Sequence, residues 1–146
     1  MSADIIAGES IGGISLGDNV LDILEAAGDK FAIKEIPFEN FGNKYFHYKL
    51  NDGEINFTSN YDGEILAIWC EPGYLGMYNG YLYPGISARE IKEVSKIQEI
   101  YKGFLVIDRN FNVYYDLNEG VDDFDRFEDV NDEVKFNALY VGDLKK

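Results

Sequence analysis

His47 and Cys70 are the chain's whole supply of imidazole and thiol, the groups most often used as general base, nucleophile or transition-metal ligand. A lone cysteine cannot close an intrachain disulfide, and it rules out a thiolate metal cluster. His47 lies in Lys44-Tyr45-Phe46-His47-Tyr48-Lys49, where strand alternation puts Phe46 and Tyr48 on one face and a solvent-facing His47 on the other. Cys70 ends the apolar run Ile65-Leu66-Ala67-Ile68-Trp69-Cys70, a setting in which a free cysteine behaves as a small hydrophobe. A Cys70/His47 dyad would have no signature around either residue, so no catalytic residue, metal ligand or cofactor is assigned.

Carboxylates are abundant. The segment Asp116 to Glu133 carries nine acids against Arg126 alone, a net charge of -8 out of the chain's -14. It does not follow the calcium-loop pattern: Asp116-x-Asn118 starts correctly, but Gly120 falls one position early, and Asp123-x-Asp125 leads to Phe127 with no glycine. Gly12-Gly13 lacks the lysine and the following long helix of a phosphate loop. What the acidic segment does offer is charge around two apolar side chains, Phe124 and Phe127, which a purely solvating tail would lack.

Such a surface suits a basic protein. A net charge of -14 and a pI near 4.3 repel phosphates, which argues against nucleic acid and anionic membranes as partners. The candidate contacts are Asp122, Asp123, Asp125, Glu128 and Asp129 as charges, with Phe124 and Phe127 as anchors; burial of both phenylalanines under a sheet is the alternative. A second candidate patch lies in the Gly- and Tyr-rich stretch from Glu71 to Gly85, at Tyr74, Tyr78, Tyr81 and Tyr83. There the choice is between a recognition loop and a connector whose tyrosines cover the core edge.

The elements that must position these residues follow from caps and alternation. Gly17-Asp18-Asn19-Val20-Leu21-Asp22-Ile23 resembles Gly85-Ile86-Ser87-Ala88-Arg89-Glu90-Ile91, and both read as helix starts with Asn19 and Ser87 as N-caps. The first helix is predicted over 20–27, with Gly28 as stop, and the second over 88–94, with Ala88, Ile91 and Val94 inward. Helices of two turns need a sheet beneath them. Strands are predicted over 31–38, 44–50, 54–59, 64–70, 103–108, 112–117 and 134–141, with turns at Asn51-Asp52-Gly53 and Asn60-Tyr61-Asp62-Gly63. The expected fold is α+β: one domain, residues 1–146, of two short-helix-plus-hairpin units on a mainly antiparallel sheet. The paired helix starts suggest an internal repeat over 8–72 and 80–146. Neither a basic leader with an apolar core nor a run of 18 apolar residues occurs, so a soluble cytoplasmic protein is expected.

The opening Gly8-Glu9-Ser10-Ile11-Gly12-Gly13-Ile14-Ser15-Leu16-Gly17-Asp18, followed by a short helix and tyrosine-rich strands, resembles the small acidic immunity proteins of bacterial polymorphic-toxin and contact-dependent growth inhibition systems. The resemblance implies a cytoplasmic protein that neutralises one cognate toxin domain, often a nuclease, and it transfers no individual binding residue. The two-unit plan is also similar to that of protein inhibitors of β-lactamase. Two other functions fit the composition: a small-ligand-binding domain or hydrolase with a pocket of tyrosines and Trp69, and a nucleic-acid mimic that blocks many basic proteins.

Overall fold

The computed structural model describes residues 5–28, 31–117 and 126–145. Three two-residue strands, β1 (Ile5–Ile6), β2 (Ser10–Ile11) and β3 (Ile14–Ser15), form a small antiparallel sheet ahead of helix α1 (Val20–Ala27). A meander of β4 (Ile33–Asn40), β5 (Asn43–Leu50), β6 (Ile55–Asn60) and β7 (Ile65–Cys70) follows. After the tyrosine-rich connector come β8 (Ile86–Ser87), helix α2 (Ala88–Val94), β9 (Gln98–Tyr101), β10 (Phe104–Ile107), β11 (Val113–Asp116), β12 (Lys135–Phe136) and β13 (Leu139–Val141).

Both helices start where their caps require. The Asn19 carboxamide accepts the Leu21 N–H at 2.8 Å, and the Ser87 hydroxyl accepts the Glu90 N–H at 3.1 Å, each satisfying an orphan donor of the first turn. Gly28 ends α1 at φ 53°, with its N–H on the Leu24 carbonyl. Val20 and Ala27 of α1 and Ala88 and Ile91 of α2 are buried, whereas Val94, expected inward, is exposed at the frayed end of its short helix.

One antiparallel sheet of eight strands, in the order β4-β5-β6-β7-β13-β11-β10-β9, carries the fold. Its order is built from two four-stranded halves, one after each helix, joined where β7 pairs with β13. The expected architecture of two short-helix-plus-hairpin units on an antiparallel sheet is therefore the one observed. Three details differ. The predicted strand 134–141 is two strands, since β12 pairs with β8 outside the main sheet and β13 enters the centre of it. Gln98–Tyr101 is an edge strand that its sequence does not announce, and β1 to β3 are short strands ahead of α1 where none is predicted.

Alternation divides the main sheet into two faces. Tyr48, Leu50, Ile55, Phe57, Ile68, Cys70, Leu139, Val141, Val113, Tyr115, Leu105 and Ile107 point inward and are buried with Val20, Ala88, Ile91, Phe127 and Phe136 in one core. The residues between them point to the opposite, outer face.

Candidate functional site

The outer face carries aromatic rings where an ordinary half-exposed strand would carry polar residues. Tyr140 lies between the buried Leu139 and Val141, Tyr114 between the buried Val113 and Tyr115, and Trp69 between the buried Ile68 and Cys70. Strand register brings them together: Tyr140 is directly opposite Trp69 on one side and Tyr114 on the other. The Trp69–Tyr140 centroids are 5.0 Å apart with planes 18° from parallel, and Tyr140–Tyr114 are 5.9 Å apart at 6°. His47 extends the ladder at 5.1 Å from Trp69, and Phe104 closes it edge-on against Tyr114 (4.8 Å) and Tyr140 (5.8 Å). All five are half-buried, and none belongs to the inner core cluster that holds the helices.

The stacking decides what this surface offers. Rings 5.0 Å apart and nearly parallel must overlap face to face, because coplanar rings side by side would collide at that separation. Trp69 thus has Tyr140 stacked on one side and the tilted His47 ring on the other, and Tyr140 stands between Trp69 and Tyr114. A flat or sugar ligand, which needs an open ring face, meets rings already partly covered by their neighbours.

A polar network anchors the Trp69 end. Asn56, buried on the outer side of β6, donates through Nδ2 to the Gly53 carbonyl at 2.8 Å and to Glu71 Oε2 at 3.0 Å. Trp69 Nε1 donates to the same Glu71 oxygen at 3.3 Å. Asn56 Oδ1 then faces His47 Nε2 at 3.0 Å; an amide oxygen only accepts, which places the imidazole proton on Nε2. Carboxylates converge on the ladder from here. Burial raises the Tyr140 hydroxyl far above its ordinary value, and the Asp116 and Glu71 charges push it the same way. At Tyr114 burial does the same, helped by Asp143. An open cleft of about 460 Å³ beside Tyr114 is lined in part by Glu64, Ala67, Gly142 and Asp143. Next to the polar network on β5, Lys49 is paired with Asn56 on one side and with Lys34 of β4 on the other.

The residues singled out from sequence are placed differently. Asp122, Asp123, Phe124 and Asp125 lie outside the described residues. Phe127, offered as a surface anchor, is 2% exposed and packs 6.0 Å from Phe136 under the Lys92 ammonium, so it is a core residue. Glu128 and Asp129 are exposed, and the Arg126 guanidinium holds the Glu128 carboxyl below its usual range from 2.5 Å. Lys92 pairs with Asp132 at 2.6 Å and Arg89 with Glu133, so part of the acidic segment's charge is neutralised by α2. Tyr74, Tyr78, Tyr81 and Tyr83 pack half-buried against the inner core. Tyr78 accepts from Asn110 at 2.8 Å and Tyr83 donates to Glu90 at 2.5 Å, the arrangement of a connector covering the core edge.

The Cys70/His47 dyad is excluded by geometry, since the two side chains point to opposite faces of the sheet. Cys70 is fully buried, its sulfur 3.8 Å from the Leu139 carbonyl, and burial pushes the thiol up to about 12. Among the described residues no cluster of three or more His, Cys, Asp or Glu could hold a metal ion, and no helix is long and apolar enough to cross a membrane. No family model, curated protein or solved structure matches the chain.

Proposed function

We propose that this chain is a toxin-neutralising immunity protein that binds a cognate basic toxin domain, a nuclease in the leading form, through the outer face of its sheet. The observation that supports the reading most is the aromatic ladder of Trp69, Tyr140, Tyr114 and Phe104, which lies outside the core and is flanked by Glu71, Asp116 and Asp143. Rigid aromatic surface with acidic borders combines the two properties an inhibitor of a phosphate-binding protein requires. The charge speeds encounter with a cationic groove, and the desolvated rings slow dissociation. A cytoplasmic setting is part of this proposal. The ligand-pocket alternative is weakened by the stacking of Tyr140 on Trp69, which takes up part of the ring surface such a ligand would use.

The test is affinity capture with the tagged chain from its source cells, followed by calorimetry on the purified pair at low and high salt. A stoichiometric complex is expected, with an association rate that falls as salt rises and an affinity that Asp116→Lys reduces. Failure of the pair to associate, or association indifferent to both salt and Asp116→Lys, would reject the reading. Binding of many unrelated basic proteins with equal affinity would instead identify a general nucleic-acid mimic.

A further inference from the structure

The hairpin joining β4 to β5 turns in two residues, Phe41 and Gly42, between the paired Asn40 and Asn43. Both have positive φ, 51° and 80°, as the type I′ turn demands. Asparagine, aspartate and glycine tolerate that first position; a phenylalanine there is strained. Nothing local compensates, for the Phe41 side chain is 95% exposed. The β9–β10 hairpin makes the same turn with Lys102 and Gly103, at 51° and 81°, but its Lys102 ammonium donates to the Leu144 carbonyl at 3.0 Å and lies over the Tyr101 ring. Turn geometry therefore does not ask for an aromatic residue at position 41, and packing does not hold one there.

The surroundings extend the apolar surface. Phe38 stacks on Tyr45 at 5.5 Å, and with Phe46 and the 70% exposed Tyr61 they line an open cleft of about 360 Å³ at the hairpin end. Tyr45 and His47 are alternate residues of β5, so this surface continues on the outer face into the aromatic ladder. An outlier conformation that displays a large apolar side chain to water points to use by a partner.

We propose that Phe41 is a preset anchor that enters an apolar pocket of the basic partner, beside the cationic surface that meets the ladder. This rests on the reading given above. A second copy of the chain is the poorer occupant, because two bodies of charge -14 repel, whereas a basic protein is drawn in. The fixed hairpin offers the ring without the entropic cost of ordering a loop on binding.

The experiment uses the complex with the basic partner captured in the test above and compares Phe41→Asn with Phe41→Leu. Phe41→Asn puts a turn-compatible residue at the tip, so the free chain's melting temperature should rise by about 2–4 °C. The same variant should weaken the complex by at least about 30-fold, while Phe41→Leu, which keeps an apolar tip, stays within about fivefold of wild type. A wild-type affinity for Phe41→Asn, in a complex that still responds to Asp116→Lys, overturns the anchor and leaves the outer-face reading standing. Absence of any wild-type complex rejects that reading and the anchor with it. A wild-type homodimer in light scattering that Phe41→Asn dissolves would overturn the proposal in favour of a second copy.

Discussion

Trp69 and Tyr140 stack face to face across the junction of the two half-sheets, with centroids 5.0 Å apart and planes 18° from parallel. That junction is short, consisting of Cys70–Leu139, Trp69–Tyr140 and Ile68–Val141. The stack sits at its middle pair, on the side away from the helices. It therefore ties the halves together where the inner core does not reach. Trp69→Ala and Tyr140→Ala should each cost about 2 kcal/mol, below the range for fully buried aromatics because both rings are half-exposed. The double variant should lose less than the sum by about 0.5–1.5 kcal/mol, the coupling of an aromatic pair. Urea unfolding of the four proteins measures this; strict additivity would show that the rings act independently.

Tyr114 reaches across the backbone of Gly142. A Cβ built at Gly142 would collide with the Tyr114 hydroxyl oxygen, and its next contacts are ring carbons of the same side chain at 3.4 and 3.6 Å. Gly142→Ala should therefore destabilise the chain by about 1–3 kcal/mol, the usual cost of overpacking, and displace Tyr114 from the ladder. Tyr114→Phe removes the obstructing oxygen, so the double variant should recover most of the loss. Thermal melts of both variants decide it: no rescue by Tyr114→Phe would mean that the glycine is required for another reason.

Asn56, itself fully buried, supplies three hydrogen bonds, two of them to the half-buried His47 and Glu71. Replacement by alanine leaves the Gly53 carbonyl and the Glu71 carboxylate without this donor and His47 without its acceptor, and should cost about 2–4 kcal/mol. Asn56→Asp is the sharper probe. It keeps the shape but sets a carboxylate against Glu71, so its stability should recover as pH is lowered through the carboxylate range and one of the pair takes up a proton. Denaturant midpoints at pH 4.5 and 7.5 separate this from a loss that does not depend on pH.

How far the sequence foretold this molecule depends on whether the signal was local. Asn19 and Ser87 placed both helices because capping is decided within four residues. The hairpins were legible from alternation and turn residues. The ladder was not, because Trp69, Tyr140 and Tyr114 become neighbours only through strand register, and an aromatic residue at an outward position reads in one dimension as more core. A trace of it existed: Val113-Tyr114-Tyr115 and Leu139-Tyr140-Val141 are apolar at both parities, which implies a strand with two occupied faces. Phe127 misled in the opposite sense, since its acidic neighbours made a buried side chain look like a surface anchor. The run Val134 to Val141 looked continuous, but Asn137-Ala138 separates a strand serving β8 from one serving the main sheet.

Alkaline pH should unfold the protein through groups buried in neutral form. Burial raises the Tyr48 hydroxyl to about 12, and the adjacent Glu35 carboxylate reinforces the shift; burial likewise takes Cys70 to about 12 and Tyr115 well above its ordinary value. Each group is uncharged when protonated, so the native state holds these protons more tightly than the unfolded chain does. The stabilisation is fully present below the unfolded values, near 9 for the thiol and 10 for the phenols. As pH climbs past them the unfolded state ionises first, and stability falls until the native groups titrate at about 12. Urea unfolding at intervals from pH 7 to 11 should give a flat region and then a decline that starts above pH 9 and steepens above pH 10. Phenolate absorbance should rise together with the loss of circular dichroism, and Tyr48→Phe should make the decline above pH 10 shallower. A decline of the same slope in Tyr48→Phe would show that this hydroxyl titrates alike in both states and that its burial does not govern the alkaline limit.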